Sequence, residues 1–222
     1  CPTYLHHNNK PLVVVWGVGF NDGRRYGFKE ADTIINGIKQ RGFSVMLGVP
    51  TYWRNLGKDA IHDEALHRLI KKCDIVAPWY VGRYDETTYA AFKGLISDDI
   101  AWCKSNKIDY APLAFPGFSW KNMNGPQART IARNRGKFFW KQVDAAKAAG
   151  AEMLYIAMFD EMNEGTAIFK CNTNDKLPLN GTGDFTGIDN DLGSDYYLWL
   201  AGQAAQWFHG NNGYSEKLPS RP

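Results

Sequence analysis

Phe43-Ser44-Val45-Met46-Leu47-Gly48-Val49 is almost unbroken apolar sequence, and it runs straight into Pro50-Thr51-Tyr52-Trp53-Arg54. A strand with one wet face alternates apolar and polar residues, whereas a strand covered on both faces is apolar on successive residues, as in a parallel sheet. Residues 12–16, 75–80, 110–115 and 153–159 have the same character. Between these runs lie segments with helical spacing. Ala31, Ile34, Ile35 and Ile38 form one face, closed by Gly42. Ile61, Ala65, Leu66, Leu69 and Ile70 form a second, and Tyr89, Phe92, Leu95, Ile96 and Trp102 a third. A fourth helix is expected from Ile131 through Phe139, Val143 and Ala146, and a fifth over 195–209. Strand and helix alternate, so the class is α/β with a parallel sheet, read as one domain over 1–222. Five strands in 222 residues leave two solutions. One is an open doubly wound sheet, the other a (β/α)8 TIM-type barrel of which only the later β/α units are present.

Composition narrows the function classes. Apolar residues at 44% and charged residues at 22% are ordinary for a globular protein and exclude a disordered chain. Twenty-six basic against 23 acidic residues leave a formal charge of +3, too small to argue for nucleic acid. No apolar run approaches the ~20 residues of a membrane span. The segment Gly17-Val18-Gly19-Phe20-Asn21-Asp22-Gly23 matches neither G-x-G-x-x-G nor a P-loop, which argues against a nucleotide cofactor. Cys1, Cys73, Cys103 and Cys171 are far apart, so no metal site is read from them; they permit disulfides without demanding them. Arg133, Arg135 and Lys137 read as a solvated basic face, Asp85-Glu86 as a helix cap, and Asn180-Gly181-Thr182 as a glycosylation sequon. No cofactor is expected.

The unusual count is aromatic, at 14%: 8 Trp, 11 Tyr and 12 Phe. Parallel α/β folds place ligands at the carboxyl ends of their strands. There this chain sets Trp16, Tyr52, Trp53, Trp79, Arg83, Trp120 and Asn122. Flat rings stack on sugar C–H faces while amides and guanidinium groups bind hydroxyls, so a carbohydrate ligand is expected. The fifth run ends in Phe159-Asp160-Glu161-Met162-Asn163-Glu164-Gly165-Thr166. On a helical turn Glu161 and Glu164 would have Cβ atoms roughly 5–6 Å apart. That is closer to the spacing of a retaining carboxyl pair than of an inverting one. A close pair also splits its proton affinities into one acid and one base.

The same block resembles the F-N-E-W-x-E-G-T signature of glycoside hydrolase family 99. Tyr4-Leu5-His6-His7-Asn8-Asn9-Lys10-Pro11-Leu12-Val13 is similar to the segment leading into an inner barrel strand in families 71 and 99. The likeness extends to bacterial members of that group described as xylosidases or arabinosidases, through Pro50–Arg54, Pro78-Trp79 and the stretch from Phe115 to Trp120. It implies a TIM-type barrel of which two or three strands before Leu12 lie outside this chain, and a glycosidase acting on an oligo- or polysaccharide. It also implies that Glu161 deprotonates the sugar 2-hydroxyl, which then attacks the anomeric carbon, while Glu164 protonates the leaving oxygen and later activates water. Asp160 stands where the family has Asn, Met162 where it has Trp, and Asn163 where His is frequent; Asp160 is counted with the substrate-binding residues. A secreted, periplasmic or cell-surface location is the matching expectation. Two alternatives stay open: a carbohydrate-binding protein on the same scaffold with little hydrolytic activity, and a barrel enzyme acting on phosphorylated metabolites, with Asn180-Gly181-Thr182-Gly183 as its anion site.

Overall fold

A computed structural model describes residues 3–177, 184–210 and 216–221. Cys1 and the segment Asn180-Gly181-Thr182-Gly183, with its sequon, fall outside the described residues. The chain divides into two compact units, Cys1–Tyr80 with Leu95–Pro112, and Val81–Gly94 with Leu113–Pro222.

The first unit is a five-stranded sheet with helices. In chain order its elements are β1 (His6–His7), β2 (Lys10–Trp16), α1 (Phe28–Gln40), β3 (Ser44–Val49), α2 (Ala65–Ile70), β4 (Ile75–Pro78), the later part of α3 (Tyr89–Ser105), and β5 (Asp109–Tyr110). The strands lie in sequence order, with β1 antiparallel to β2 and every later pairing parallel. Register follows burial. Val45, Leu47 and Val49 of β3 are fully buried, and so are Ile75 and Val76 of β4, which gives the continuous apolar runs their physical meaning. Ile35 of α1 and Leu66 and Ile70 of α2 are also fully buried, each contributing about 1.5–3 kcal/mol by leaving water. α1 is opened by Glu30, whose carboxylate accepts the Gly27 N–H at 3.0 Å, and it stops before Gly42 at φ +85°.

The second unit holds β6 (Leu113–Ala114), β7 (Phe118–Ser119), α4 (Lys121–Asn124), β8 (Thr130–Ile131), α5 (Lys137–Ala148), β9 (Tyr155–Ile156) and α6 (Tyr196–Phe208). β6 pairs in parallel with β9, and β7 pairs antiparallel with β8. α5 and α6 pack through Phe139, Trp140, Val143, Leu200, Ala204 and Trp207. Gln142 of α5 is buried with every polar atom used. Its Oε1 accepts Tyr84 Oη and Phe115 N, and its Nε2 donates to the carbonyls of Phe115 and Phe138. That fixes the chain just past β6, where the ring contacts of Tyr84, Phe115 and Phe138 gather.

Four expectations need correction. The run 12–16 is a strand, but it is not covered on both faces, since Val14 and Trp16 are about half exposed. The run 153–159 holds a strand only at Tyr155–Ile156, both partly buried. The run 110–115 is not one strand but two, β5 and β6, belonging to different units. The fourth helix does not begin at Ile131, which is a strand residue facing Phe118; Asn134 and Arg135 then take positive φ, and the helix starts at Lys137. The cap expected at Asp85 is present: its Oδ1 accepts the backbone N–H groups of Thr87 and Thr88, both at 3.0 Å. The Thr87 hydroxyl above all, with the Thr88 N–H and hydroxyl, holds its pKa down at about 2. Because the folded value lies below the ordinary 3.8, this stabilisation is present above pH ~4 and is lost as pH falls through about 2. Asp85→Ala should cost about 1 kcal/mol in urea unfolding at neutral pH, with wild type and variant converging in strong acid.

Candidate active site

The two glutamates sit after β9, on a turn that is closed without a helix. The N–H of Thr166 bonds to the Glu161 carbonyl and the N–H of Gly165 to the Met162 carbonyl, both at 3.1 Å, with Gly165 at φ +62°. This is the Schellman closure, in which a left-handed residue ends a single turn. The expectation of a helical turn is corrected to that extent: Glu161 and Glu164 flank one hydrogen-bonded turn, and Gly165 stops it from propagating. The ends of the loop are zipped by Met158 N to Thr166 O, Ile168 N to Met158 O and Phe169 N to Phe159 O.

The turn is pinned from two further elements of the same unit. Ser119 of β7 donates its N–H to the Glu164 carbonyl at 2.7 Å. Arg133, which follows β8, donates Nη2 to the Gly165 carbonyl at 3.0 Å. Arg133 corrects the solvated-face reading. It is 4% exposed, its guanidinium lies 4.6 Å from the Tyr197 ring centre, and a Cβ at Gly117 would come within 2.5 Å of its Cγ. Gly117 is therefore the residue that lets this side chain pass under the turn.

On the turn, Glu161 Oε1 accepts the N–H of Asn163 at 2.8 Å and that of Glu164 at 3.4 Å. Glu164 is half-buried, and its pKa is raised, first by desolvation and then by the neighbouring Glu161 charge. The indole N–H of Trp120 bonds to the Glu164 carboxylate and opposes that rise. Asn122 of α4 donates Nδ2 to Asn163 Oδ1 at 2.7 Å. Four of the ten residues singled out in the sequence, Glu161, Glu164, Trp120 and Asn122, thus come together in the second unit. Asp160 and Arg83 are exposed. Trp120→Phe should move the proton of Glu164 to higher pH, because it removes a donor that favours the ionised form. Carboxyl ¹³C titration of the labelled variant should show the Glu164 midpoint shifted upward from wild type.

The remaining four belong to the first unit. Trp16 is 48% exposed and meets Trp79 edge-on at 5.3 Å, with Arg24 stacked over both Trp16 and Phe20. A Cβ at Gly48 would lie 2.4 Å from Trp16 Cδ1, so glycine there gives the indole its place across β3. Lys58 lies over the Tyr52 ring at 4.0 Å. Trp53 is corrected from a ligand-facing residue to a core one. It is fully buried, packs edge-on against Trp102, and donates Nε1 to Asp99 at 3.2 Å.

Cys73, Cys103 and Cys171 are free thiols. Among the described residues no cluster of three or more His, Cys, Asp or Glu side chains is placed to hold a metal. None of the described helices is long and apolar enough to cross a membrane.

No protein-family model matches the chain, and no curated protein sequence does. Solved structures do. A GH99 endo-alpha-mannosidase from Bacteroides thetaiotaomicron aligns with 96% of this chain at TM-score 0.63 and 17% identity, over 58% of its own length. A structure of the GH99 endo-alpha-mannosidase in complex with BIS-TRIS-propane gives TM-score 0.59 at 18% identity, covering 95% of this chain and 61% of that one. A glycoside hydrolase-like protein gives 0.56 at 16% identity, covering 91% and 56%. The chain therefore has the α/β fold of these TIM-type glycoside hydrolases and spans a little under two thirds of their length. The expected likeness to family 99 and the expected fold class are both borne out.

Proposed function

We propose that this chain carries the acid/base pair of a glycoside hydrolase, with Glu164 as the acid and Glu161 as the base. The observation that carries the reading is the unequal setting of two carboxyl groups on one turn. Glu161 accepts two backbone N–H groups, whereas Glu164 is half-buried beside it, and burial and the Glu161 charge raise its pKa. Glu164 donates that proton to the bridging oxygen as the glycosidic bond breaks. Glu161 takes the proton of the sugar 2-hydroxyl, whose oxygen closes on the anomeric carbon as the leaving sugar departs. Glu164, now ionised, draws a proton from the water that attacks the anomeric carbon and opens the three-membered ring, and Glu161 returns its proton to the 2-oxygen. The net result is hydrolysis with both carboxyl groups restored and configuration retained.

Trp120, 43% exposed, offers a ring face beside the pair while its N–H steadies Glu164. Asn122 holds Asn163 against the turn. The names of the structural neighbours point first to α-mannosides as substrates. The test is release of reducing sugar from α-mannosides, xylosides and arabinosides by the wild type, and its loss in Glu161→Gln and Glu164→Gln. Equal hydrolysis by all three proteins would dispose of the proposal.

A further inference from the structure

The second unit contains a cavity of about 400 Å³ that neither glutamate lines, within the ~300–1,000 Å³ usual for small-molecule sites. Its walls include Phe118, Lys121, Arg133, Asn174, Phe185 and Asp189, with Asp184, Thr130 and Thr186 between them. We infer that this cavity is a second sugar site, binding one neutral pyranose or furanose ring. The inference rests on the carbohydrate part of the function proposed above and not on bond cleavage.

The chemistry of the walls selects the guest. Two cations, Lys121 and Arg133, face two carboxylates, Asp184 and Asp189, so the lining carries no net charge to attract an anion. A sugar hydroxyl both donates and accepts, which suits a wall that mixes fixed donors with fixed acceptors. Arg133 and Asn174 keep donors to spare. Arg133 spends Nη2 on Gly165, but its buried Nε and Nη1 have no hydrogen-bond partner. A buried guanidinium in that state lacks acceptors that a guest's oxygens supply. Asn174 commits Oδ1 to the Gly187 N–H, so Nδ2 is the group it can offer. Asp189 receives the Tyr197 hydroxyl on Oδ2 and keeps Oδ1 for a donor. Phe118 and the 36% exposed Phe185 supply flat apolar surface of the kind that covers a sugar's C–H face.

The site also touches the glutamate turn from behind. Thr186 is within 3.4 Å of where a Cβ on Gly165 would lie, and Arg133 bonds that same glycine's carbonyl. Occupancy of the cavity therefore bears on the backbone that carries Glu164.

Saturation-transfer NMR with methyl glycosides of mannose, xylose and arabinose tests the inference, with glycerol as an acyclic polyol control. The protein is the Glu161→Gln/Glu164→Gln double variant, which cannot consume the probe. At least one glycoside should bind saturably while glycerol does not. Phe185→Ala, at an exposed position, should weaken that binding about tenfold. Thr130→Trp, which fills the cavity from an exposed strand position, should abolish it, and circular dichroism would verify that both variants are folded. Binding unchanged in both variants, binding of glycerol equal to that of the glycosides, or no binding by any glycoside would overturn the inference. A wild-type protein that binds in this way but hydrolyses nothing would refute the catalytic proposal and leave this site standing. Hydrolysis without cavity-dependent binding would do the reverse.

Discussion

Glu164→Gln should lower kcat/KM on a glycoside with a sugar leaving group by about 10²–10⁴-fold, the range over which general acid catalysis acts. Glutamine keeps the shape of the side chain and an oxygen to accept the Trp120 indole, but it has no proton to give. The turn itself is closed by backbone bonds from Gly165 and Thr166 and pinned by Ser119 and Arg133, none of which involves the Glu164 carboxyl. Stability should therefore stay close to wild type, and the loss should appear in kcat more than in KM. In Glu161→Gln the like charge beside Glu164 disappears. The pKa of Glu164 should then fall, and carboxyl ¹³C titration of the labelled protein would read the change directly.

Arg54→Ala is expected to be the most destabilising of the substitutions considered, and only at neutral and alkaline pH. Asp99 is fully buried and accepts from Arg54 Nε at 2.8 Å, from Trp53 Nε1 at 3.2 Å and from the Tyr110 hydroxyl at 3.2 Å. Burial raises its pKa to about 6, with Arg54 as the chief force pulling the other way. The native state thus holds a proton that the unfolded chain gives up near 3.8. Stability from this group is fully present below that value and declines as pH rises through about 6. Removing Arg54 leaves the carboxylate buried without its cation, a change that costs about 3–5 kcal/mol. Below pH 5 the carboxyl is neutral and needs no cation, so the cost should shrink sharply. Urea unfolding at pH 8 and pH 4.5 would check this. A pH-independent loss would mean that packing of the arginine stem, and not charge, is what matters.

Much of the first unit is legible in its sequence because burial on both faces leaves a local mark. The apolar run at 44–49 is the doubly buried strand it looks like, and Gly42 does end α1; the run at 12–16 is also a strand, but Val14 and Trp16 on it are about half exposed, so its apolar character does not report burial on both faces. The second unit hides more. β7 and β8 are two residues each, too short for any period, and the apolar spacing from Ile131 to Phe139 imitates a helix across a turn at Asn134 and Arg135. The glutamates stand out as a pair, and Gly165 directly after them is the visible sign that the turn closes there. Arg133 is different: it heads the polar run Arg133-Asn134-Arg135, and its partner is a carbonyl 32 residues later. Trp53 misleads for a related reason, since what draws it inward is a carboxylate 46 residues away, on a helix whose own pattern shows no special acid.

Leaving-group dependence is the most direct test of whether Glu164 gives its proton to a glycosidic oxygen. The quantity to compare is kcat/KM, which reports bond cleavage and not the later water step that Glu164 also serves, for wild type and Glu164→Gln on a disaccharide and on a dinitrophenyl glycoside of the same sugar. The expected result is a loss of two to four orders of magnitude on the disaccharide, with little loss on the dinitrophenyl glycoside, whose leaving group needs no protonation. An equal loss on both substrates, or none on either, would contradict the assignment.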